Sequence, residues 1–272
     1  MENEPDLHGF QVFLQEEERT PNTIRSYLRA VETYFTAHPE LTKQEVIAWK
    51  NELSQMYSIS TVNLRLNAIR KYAVYKNILL PVKLMRVQRI FSNECIITDE
   101  QYHHLMYCLK SDEEWQWYYN ILILAKTGTR VSEAVRLRKS DAFNGFAVLN
   151  TKGKVRTILF PTTLREELSE YLSKLENQEY LLQTNKRKGQ APINPRAVNH
   201  ALKRFAERYQ IPEEVMHPHS FRHHFGIKVM QKTNDIAYVA DLMGHSSIST
   251  TRIYTQQSIS QQQKRLDSAV DW

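Results

Sequence analysis

Residues 146–160 read Phe146-Ala147-Val148-Leu149-Asn150, then Thr151-Lys152-Gly153-Lys154, then Val155-Arg156-Thr157-Ile158-Leu159-Phe160. Two short runs rich in apolar and β-branched residues flank a tight polar turn that contains glycine, which is how a β-hairpin reads. The sequence on either side has a helical period. Downstream, helices are expected at Leu164 to Leu175, Pro195 to Tyr209, Ser220 to Gln231 and Ile236 to Met243. Upstream, Trp115 to Lys126 is a strongly apolar helix, and Gly128 suits the turn that ends it. Thr98 starts another helix, with Gln101 as its capping partner. One hairpin set in this much helix predicts a mainly α protein with a single small antiparallel sheet.

The first ninety residues read as a bundle of four helices. One lies near Leu7 to Leu14. Thr20-Pro21 opens a second, with Ile24, Tyr27, Leu28, Val31 and Phe35 on one face. Thr42 and Glu45 form a capping box before Val46, Ile47 and Trp49. Ser60 or Thr61 starts the last, whose buried stripe is Val62, Leu66, Ile69, Tyr72 and Ala73. From Leu80 to Asn93 the pattern breaks, and Pro81 with a row of bases marks a linker. Two domains are therefore expected, residues 1–88 and 93–272.

Hydrophobic residues make up 42% of the 272-residue chain, enough for a sizeable core. A net charge of +6 says little until it is mapped. From Arg65 to Arg89 there are seven bases and no acid, and from Lys186 to Arg208 seven bases against Glu207 alone. Such runs fit a surface that tracks phosphates, and equally a solvated helix face. Two cysteines, Cys95 and Cys108, without a CxxC pair argue against a disulfide framework or a cysteine zinc site. The acidic start (Glu2, Glu4, Asp6) does not read as a signal peptide, and no apolar run approaches the ~20 residues that span a bilayer. A cytoplasmic protein without a membrane partner is expected.

Four local features can carry chemistry. Arg130, in Thr127-Gly128-Thr129-Arg130-Val131-Ser132-Glu133, follows a helix stop and should open the next helix, where backbone N–H groups and a guanidinium fork suit a phosphate. The competing reading is a surface arginine paired with Glu133. Lys152 stands at the hairpin tip, where a lysine is either simply solvated or free to reach a substrate. In His217-Pro218-His219-Ser220-Phe221-Arg222-His223-His224, His219 and Arg222 share a helical face, so one can move protons while the other holds charge. Simple helix polarity and metal binding by His219 and His223 are the alternatives there. Ser220 stands where a metalloprotease motif has Glu, and Arg222 would repel a dication. Last, Gly244 ends a helix and presents His245, and Tyr254 follows nine residues on.

Together these features resemble the tyrosine recombinase, or phage integrase, family. Its members carry Arg, Lys, His-x-x-Arg, His or Trp, and Tyr in this chain order, matched here by Arg130, Lys152, His219, Arg222, His245 and Tyr254. Thr127-Gly128, Ser132-Glu133, Leu137 and Asp141 fit the first box of the family, His219-x-x-Arg222-His223 the second, and Gly244-His245 through Thr251 and Tyr254 the third. The likeness is detailed from Thr98 onward and looser before it. Phe221 and Met243 stand where leucine is usual, both apolar packing positions. The turn reads Thr-Lys-Gly-Lys rather than Gly-Lys-Gly, which leaves Lys154 as the second candidate for the lysine.

The resemblance implies a helical SAM-like core-binding domain ahead of a mostly helical catalytic domain of the DNA breaking-rejoining fold, in the minimal Xer-like or Cre-like layout. It implies that Tyr254 attacks a DNA phosphate to form a 3′-phosphotyrosyl link, with no cofactor and no metal. Arg130 and Arg222 would stabilise the transition state, Lys152 protonate the leaving oxygen, His219 accept the tyrosine proton and His245 bond a phosphate oxygen. Glu133 and His223 would support them. The two domains would clamp double-stranded DNA, with four protomers on two duplexes. Helices bearing Asn63, Arg65, Asn67, Arg70 and Lys71, and Arg196, Asn199, Lys203 and Arg204, would enter the major groove to read bases or only touch phosphates. The tail from Ser260 to Val270 would pack on a neighbouring protomer. A related type IB topoisomerase and a DNA-binding protein without catalysis are the rival readings.

Overall fold

Small polar side chains start the helices of the N-terminal unit. In the computed structural model, α1 (Leu7–Glu16) begins on Asp6, which accepts from the Gly9 N–H at 2.9 Å. α2 (Pro21–Ala37) begins on Thr20, α3 (Lys43–Met56) on Thr42 and α4 (Ile59–Tyr75) on Ser58. Each side chain satisfies an N–H that the first helical turn leaves without a partner. The structure describes residues 4–86, 95–151, 154–174, 179–182 and 192–244, together with residues 251, 267 and 270. It divides into two compact units, Met1–Ile90 and Phe91–Trp272.

Two details of the first unit differ from the sequence reading. α4 starts earlier than Ser60 or Thr61 because Ser58 takes the cap, accepting from the Thr61 N–H. The box between Thr42 and Glu45 is only half formed. Thr42 accepts from the Glu45 N–H, but the Glu45 carboxylate meets His38 Nδ1 at 2.6 Å instead of returning to the cap. A tertiary partner has outcompeted the local one. The helix stripes then bury Phe10, Leu14, Val31, Tyr34, Trp49, Leu53, Leu66 and Ile69 against one another, with the Tyr34 ring edge-on to Trp49 at 5.1 Å.

The second unit is built around α6 (Trp115–Thr127), whose Ile121, Leu122, Ile123 and Leu124 are fully or almost fully buried. α5 (Asp99–Ser111) precedes it and carries the complete Thr98–Gln101 capping box, with bonds of 3.2 and 2.9 Å. Two short helices follow, α7 (Val131–Ala134) and α8 (Lys139–Asn144). Next comes the hairpin of β1 (Phe146–Thr151) and β2 (Lys154–Leu159), antiparallel in the register Phe146↔Leu159 through Thr151↔Lys154. Its inner face carries Ala147, Leu149 and Ile158, all buried, and also Arg156.

α9 (Thr162–Lys174), α10 (Pro195–Arg208), α11 (Pro218–Thr233) and α12 (Ile236–Met243) complete the unit. α11 begins two residues before Ser220 because His217 caps it, its Nδ1 accepting from the Ser220 N–H at 3.1 Å. Phe221 and Met243 are wholly buried, as apolar packing positions should be. The protein is thus mainly helical, and its described sheet has two strands. Among the described residues no helix is long and apolar enough to cross a membrane.

Candidate active site

Arg130 owes its position to the way α6 stops. Gly128 closes that helix with φ +60°, and a Cβ on it would lie 2.3 Å from the Phe225 ring, so no side chain fits there. Two residues later Arg130 is extended (φ −70°, ψ 147°) and caps α7. Glu133 turns back on it. One carboxylate oxygen accepts the Arg130 backbone N–H at 2.8 Å, and the other accepts from the Arg130 guanidinium at 2.9 Å. The pairing with Glu133 read from the sequence exists, but it is no surface pair: the Glu133 side chain is 4% exposed, against 45% for Arg130.

A second guanidinium, from Arg156 on β2, donates to the same Glu133 carboxylate. Burial pushes the Glu133 carboxyl up. The Arg130 N–H, the charge of Arg156 and the hydrogen bonds from both guanidiniums outweigh that push and hold it below the ordinary glutamate value. Desolvation likewise draws the Arg156 guanidinium down against the pull of Glu133, although an arginine remains charged. Sequence reasoning passed over Arg156. The signal was available: in a strand of period two, the position two before inward-facing Ile158 also faces inward.

Arg222 comes from the first turns of α11 and is 1% exposed. It donates to the Gly128 carbonyl at 2.6 Å and to the Met243 carbonyl. Arg156 donates to the Leu242 carbonyl at 2.7 Å, and Arg130 reaches the Gly244 carbonyl at 3.4 Å. Three consecutive carbonyls at the end of α12 therefore each receive a different arginine. These carbonyls have no intrahelical donor and sit at the negative end of the helix dipole, so cations gather there. Gly244 is left-handed (φ +59°), and a Cβ on it would stand 2.6 Å from Arg156 Cδ and Nε.

His219 lies one turn before Arg222 on the same helix. Desolvation, followed by the charges of Arg222, His217 and Arg130, lowers its pKa below the ordinary histidine value. A neutral imidazole beside two arginines can accept a proton while they hold an anion. Half-buried His223 meets the His219 ring edge-on at 4.2 Å. Among the described residues no group of three or more His, Cys, Asp or Glu is arranged to hold a metal ion. Lys152, His245 and Tyr254 lie outside the described residues, as do the tail residues 260–266.

The other expected contact residues fall on two helices. On α4, Asn67, Arg70 and Lys71 line a groove of about 500 Å³ together with Arg19, which the sequence reading missed because it follows three consecutive acids. Lys71 also bonds Glu17, and Arg65 lies over the Tyr57 ring at 4.0 Å. Asn63 is placed differently from the expectation of a base reader: its amide donates to the Met85 carbonyl and accepts from the Met85 N–H, both at 2.9 Å. On α10, Arg196, Lys203 and Arg204 are exposed, Lys203 bonding Glu213, while Asn199 donates to the Pro195 carbonyl of its own helix.

The model of the phage integrase family matches residues 96–261, a stretch that contains all six residues of the motif, and that of the phage integrase N-terminal SAM-like domain matches residues 7–77. A tyrosine recombinase XerA of Thermococcus onnurineus is 27% identical over 97% of this chain and 94% of its own length. A tyrosine recombinase XerC of Staphylococcus aureus is 29% identical over 84% of this chain and 81% of its own. Among solved structures, the Tn1549 transposon integrase in complex with transposon right end DNA shares the fold with a TM-score of 0.77, at 14% identity over 98% of this chain and 99% of its own. XerH recombinase bound to its difH substrate does so with a TM-score of 0.70, at 21% identity over 92% and 79%.

Proposed function

The chain belongs to the phage integrase family, and we propose that it is a site-specific tyrosine recombinase that cleaves and rejoins DNA strands. The observation that carries this reading is the convergence of Arg130 and Arg222. They are far apart in sequence, yet both guanidiniums reach the end of α12, with His219 one turn away on α11. Two guanidiniums beside a neutral imidazole suit a phosphodiester that gains charge as it is attacked.

Tyr254 is the nucleophile. Its oxygen bonds the scissile phosphorus, the bond to the 5′ oxygen breaks, and the enzyme keeps the 3′-phosphoryl end. His219 takes the phenol proton, Lys152 gives one to the leaving 5′ oxygen, and His245 bonds a non-bridging oxygen. Arg130 and Arg222 stabilise the charge of the five-coordinate phosphorus. One phosphate ester replaces another, so the strand can be resealed without ATP. Double-stranded DNA is the partner, held by Arg65, Asn67, Arg70 and Lys71 on α4 and by Arg196, Lys203 and Arg204 on α10. Strand exchange takes four protomers on two duplexes, with each tail on a neighbour. The protein works in the cytoplasm on nucleoid DNA.

A nicked suicide duplex, which traps the covalent product, tests the reading. Wild type should give a protein–DNA adduct stable to denaturation, and Tyr254→Phe should bind the duplex equally well and give none. Undiminished adduct from Tyr254→Phe would remove Tyr254 from the mechanism. Relaxation of a supercoiled plasmid without exchange between two sites would assign the chain to the topoisomerase side.

A further inference from the structure

We propose that Arg156 is a positioning residue for strand cleavage, which fixes Arg130 by tying the start of α7 to β2 and to the end of α12. The inference rests on the recombinase reading above. One guanidinium makes the connection. It donates to Glu133, which in turn holds both the backbone and the side chain of Arg130. It donates to the Leu242 carbonyl, three residues before His245. Its own strand leaves the hairpin turn, and Lys152 precedes it by four residues.

Stability alone does not account for this arrangement. The Arg156 side chain is 10% exposed and Glu133 4%. A buried Arg–Glu pair costs so much desolvation that apolar residues of similar size are often as stable or more so. The inner face of the hairpin is otherwise Ala147, Leu149 and Ile158, so an apolar side chain at 156 would continue its pattern. The Nε of Arg156 is moreover buried with no hydrogen-bond partner among the described residues, a further cost. What the guanidinium adds is geometry. Its fork can serve a carboxylate and a carbonyl at once in fixed directions, which a lysine amine cannot do. Close packing makes the same demand: Gly244, at the end of α12, has no room for a Cβ beside Arg156 Cδ and Nε.

The test is single-turnover cleavage of the nicked duplex by wild type, Arg156→Lys, Arg156→Met, Glu133→Gln and the double variant Glu133→Gln/Arg156→Met. DNA affinity and thermal midpoint are measured on the same proteins. At saturating DNA, Arg156→Met should cleave about 10²-fold more slowly and Arg156→Lys about tenfold, because small displacements of catalytic groups carry such factors. Affinity should stay within about threefold, since the loss falls on the chemical step. The double variant should be no slower than the slower single, because both changes break one linkage. Cleavage by Arg156→Lys at the wild-type rate, an affinity that falls in step with the rate, or losses that multiply in the double variant would each overturn the role. If Arg156→Met melts before it can be assayed, Arg156→Lys decides. A wild type that forms no adduct overturns the recombinase reading and this inference with it; an active wild type beside an unimpaired Arg156→Lys overturns this inference alone.

Discussion

Glu133 and Asp99 hold similar positions in the second unit. Each lies in the first turn of a helix and each meets two basic side chains. Asp99 meets His224 Nε2 at 2.8 Å and also the Lys228 amine. Both partners come from α11, one turn apart, so Asp99 fastens α5 to a single neighbour. Its side chain is 44% exposed, and water screens the pairs. Glu133 is 4% exposed, and its two guanidiniums arrive from its own helix start and from β2. Surface access and the number of segments joined, not the count of partners, separate a carboxylate that trims a surface from one that organises a site.

The comparison can be broken most directly at Glu133. Glu133→Ala leaves Arg156 buried without its anion, and removing one partner of a buried pair costs roughly 3–5 kcal/mol. Denaturant unfolding of the variant should show that loss, together with a deep fall in cleavage. A loss below about 1 kcal/mol would place Glu133 with ordinary surface pairs.

Acid should have the next largest effect. The folded Glu133 carboxyl titrates below the ordinary value of 4.5, so its stabilisation is present above that pH and is lost as pH falls through the lower folded value. The stability gap between wild type and Glu133→Gln should therefore be wide near about pH 7 and narrow towards about pH 3. A gap independent of pH would contradict the depressed pKa. Asp99 is held below its ordinary 3.8 by hydrogen bonds from Lys228 and then His224, so its contribution likewise fades as pH falls below that value. The smallest effect is expected from Asp99→Asn, at most about 1 kcal/mol in unfolding, with the cleavage rate unchanged. A larger loss would mean that exposure is a poor guide here.

What could be read in the sequence follows the range of each interaction. The Thr98–Gln101 box, the Gly128 stop and the hairpin depend on a few neighbouring residues, and all appear in the structure. The cap at Thr42 was readable, but the destination of Glu45 was not, because His38 reaches it only once α2 and α3 have packed. α8, with six residues, is too short to show a period. The order of the motif residues identified Arg130, His219 and Arg222 as a set. The contacts of Arg130 and Arg222 at the end of α12 were invisible, since backbone carbonyls as acceptors leave no trace in residue identity. The strand period marks Arg156 as inward-facing but not its partners, a carbonyl and a carboxylate that look ordinary in one dimension.

Those three carbonyls also bear on how fast and how tightly a nucleic acid can be met. Three guanidiniums with nothing between them would drift apart by repulsion, and a ligand would have to collect them. Here Leu242, Met243 and Gly244 hold them gathered in advance. On the reading proposed above, a phosphate would meet Arg130 and Arg222 already in place, while Arg156 keeps its carbonyl and carboxylate. Freezing a long side chain on association costs on the order of 0.5–1.5 kcal/mol, and for these residues that ordering is done when the chain folds. The end of α12 thus serves as a resident stand-in for the anion, so encounter should be limited by approach and orientation of the duplex more than by assembly of its receptor.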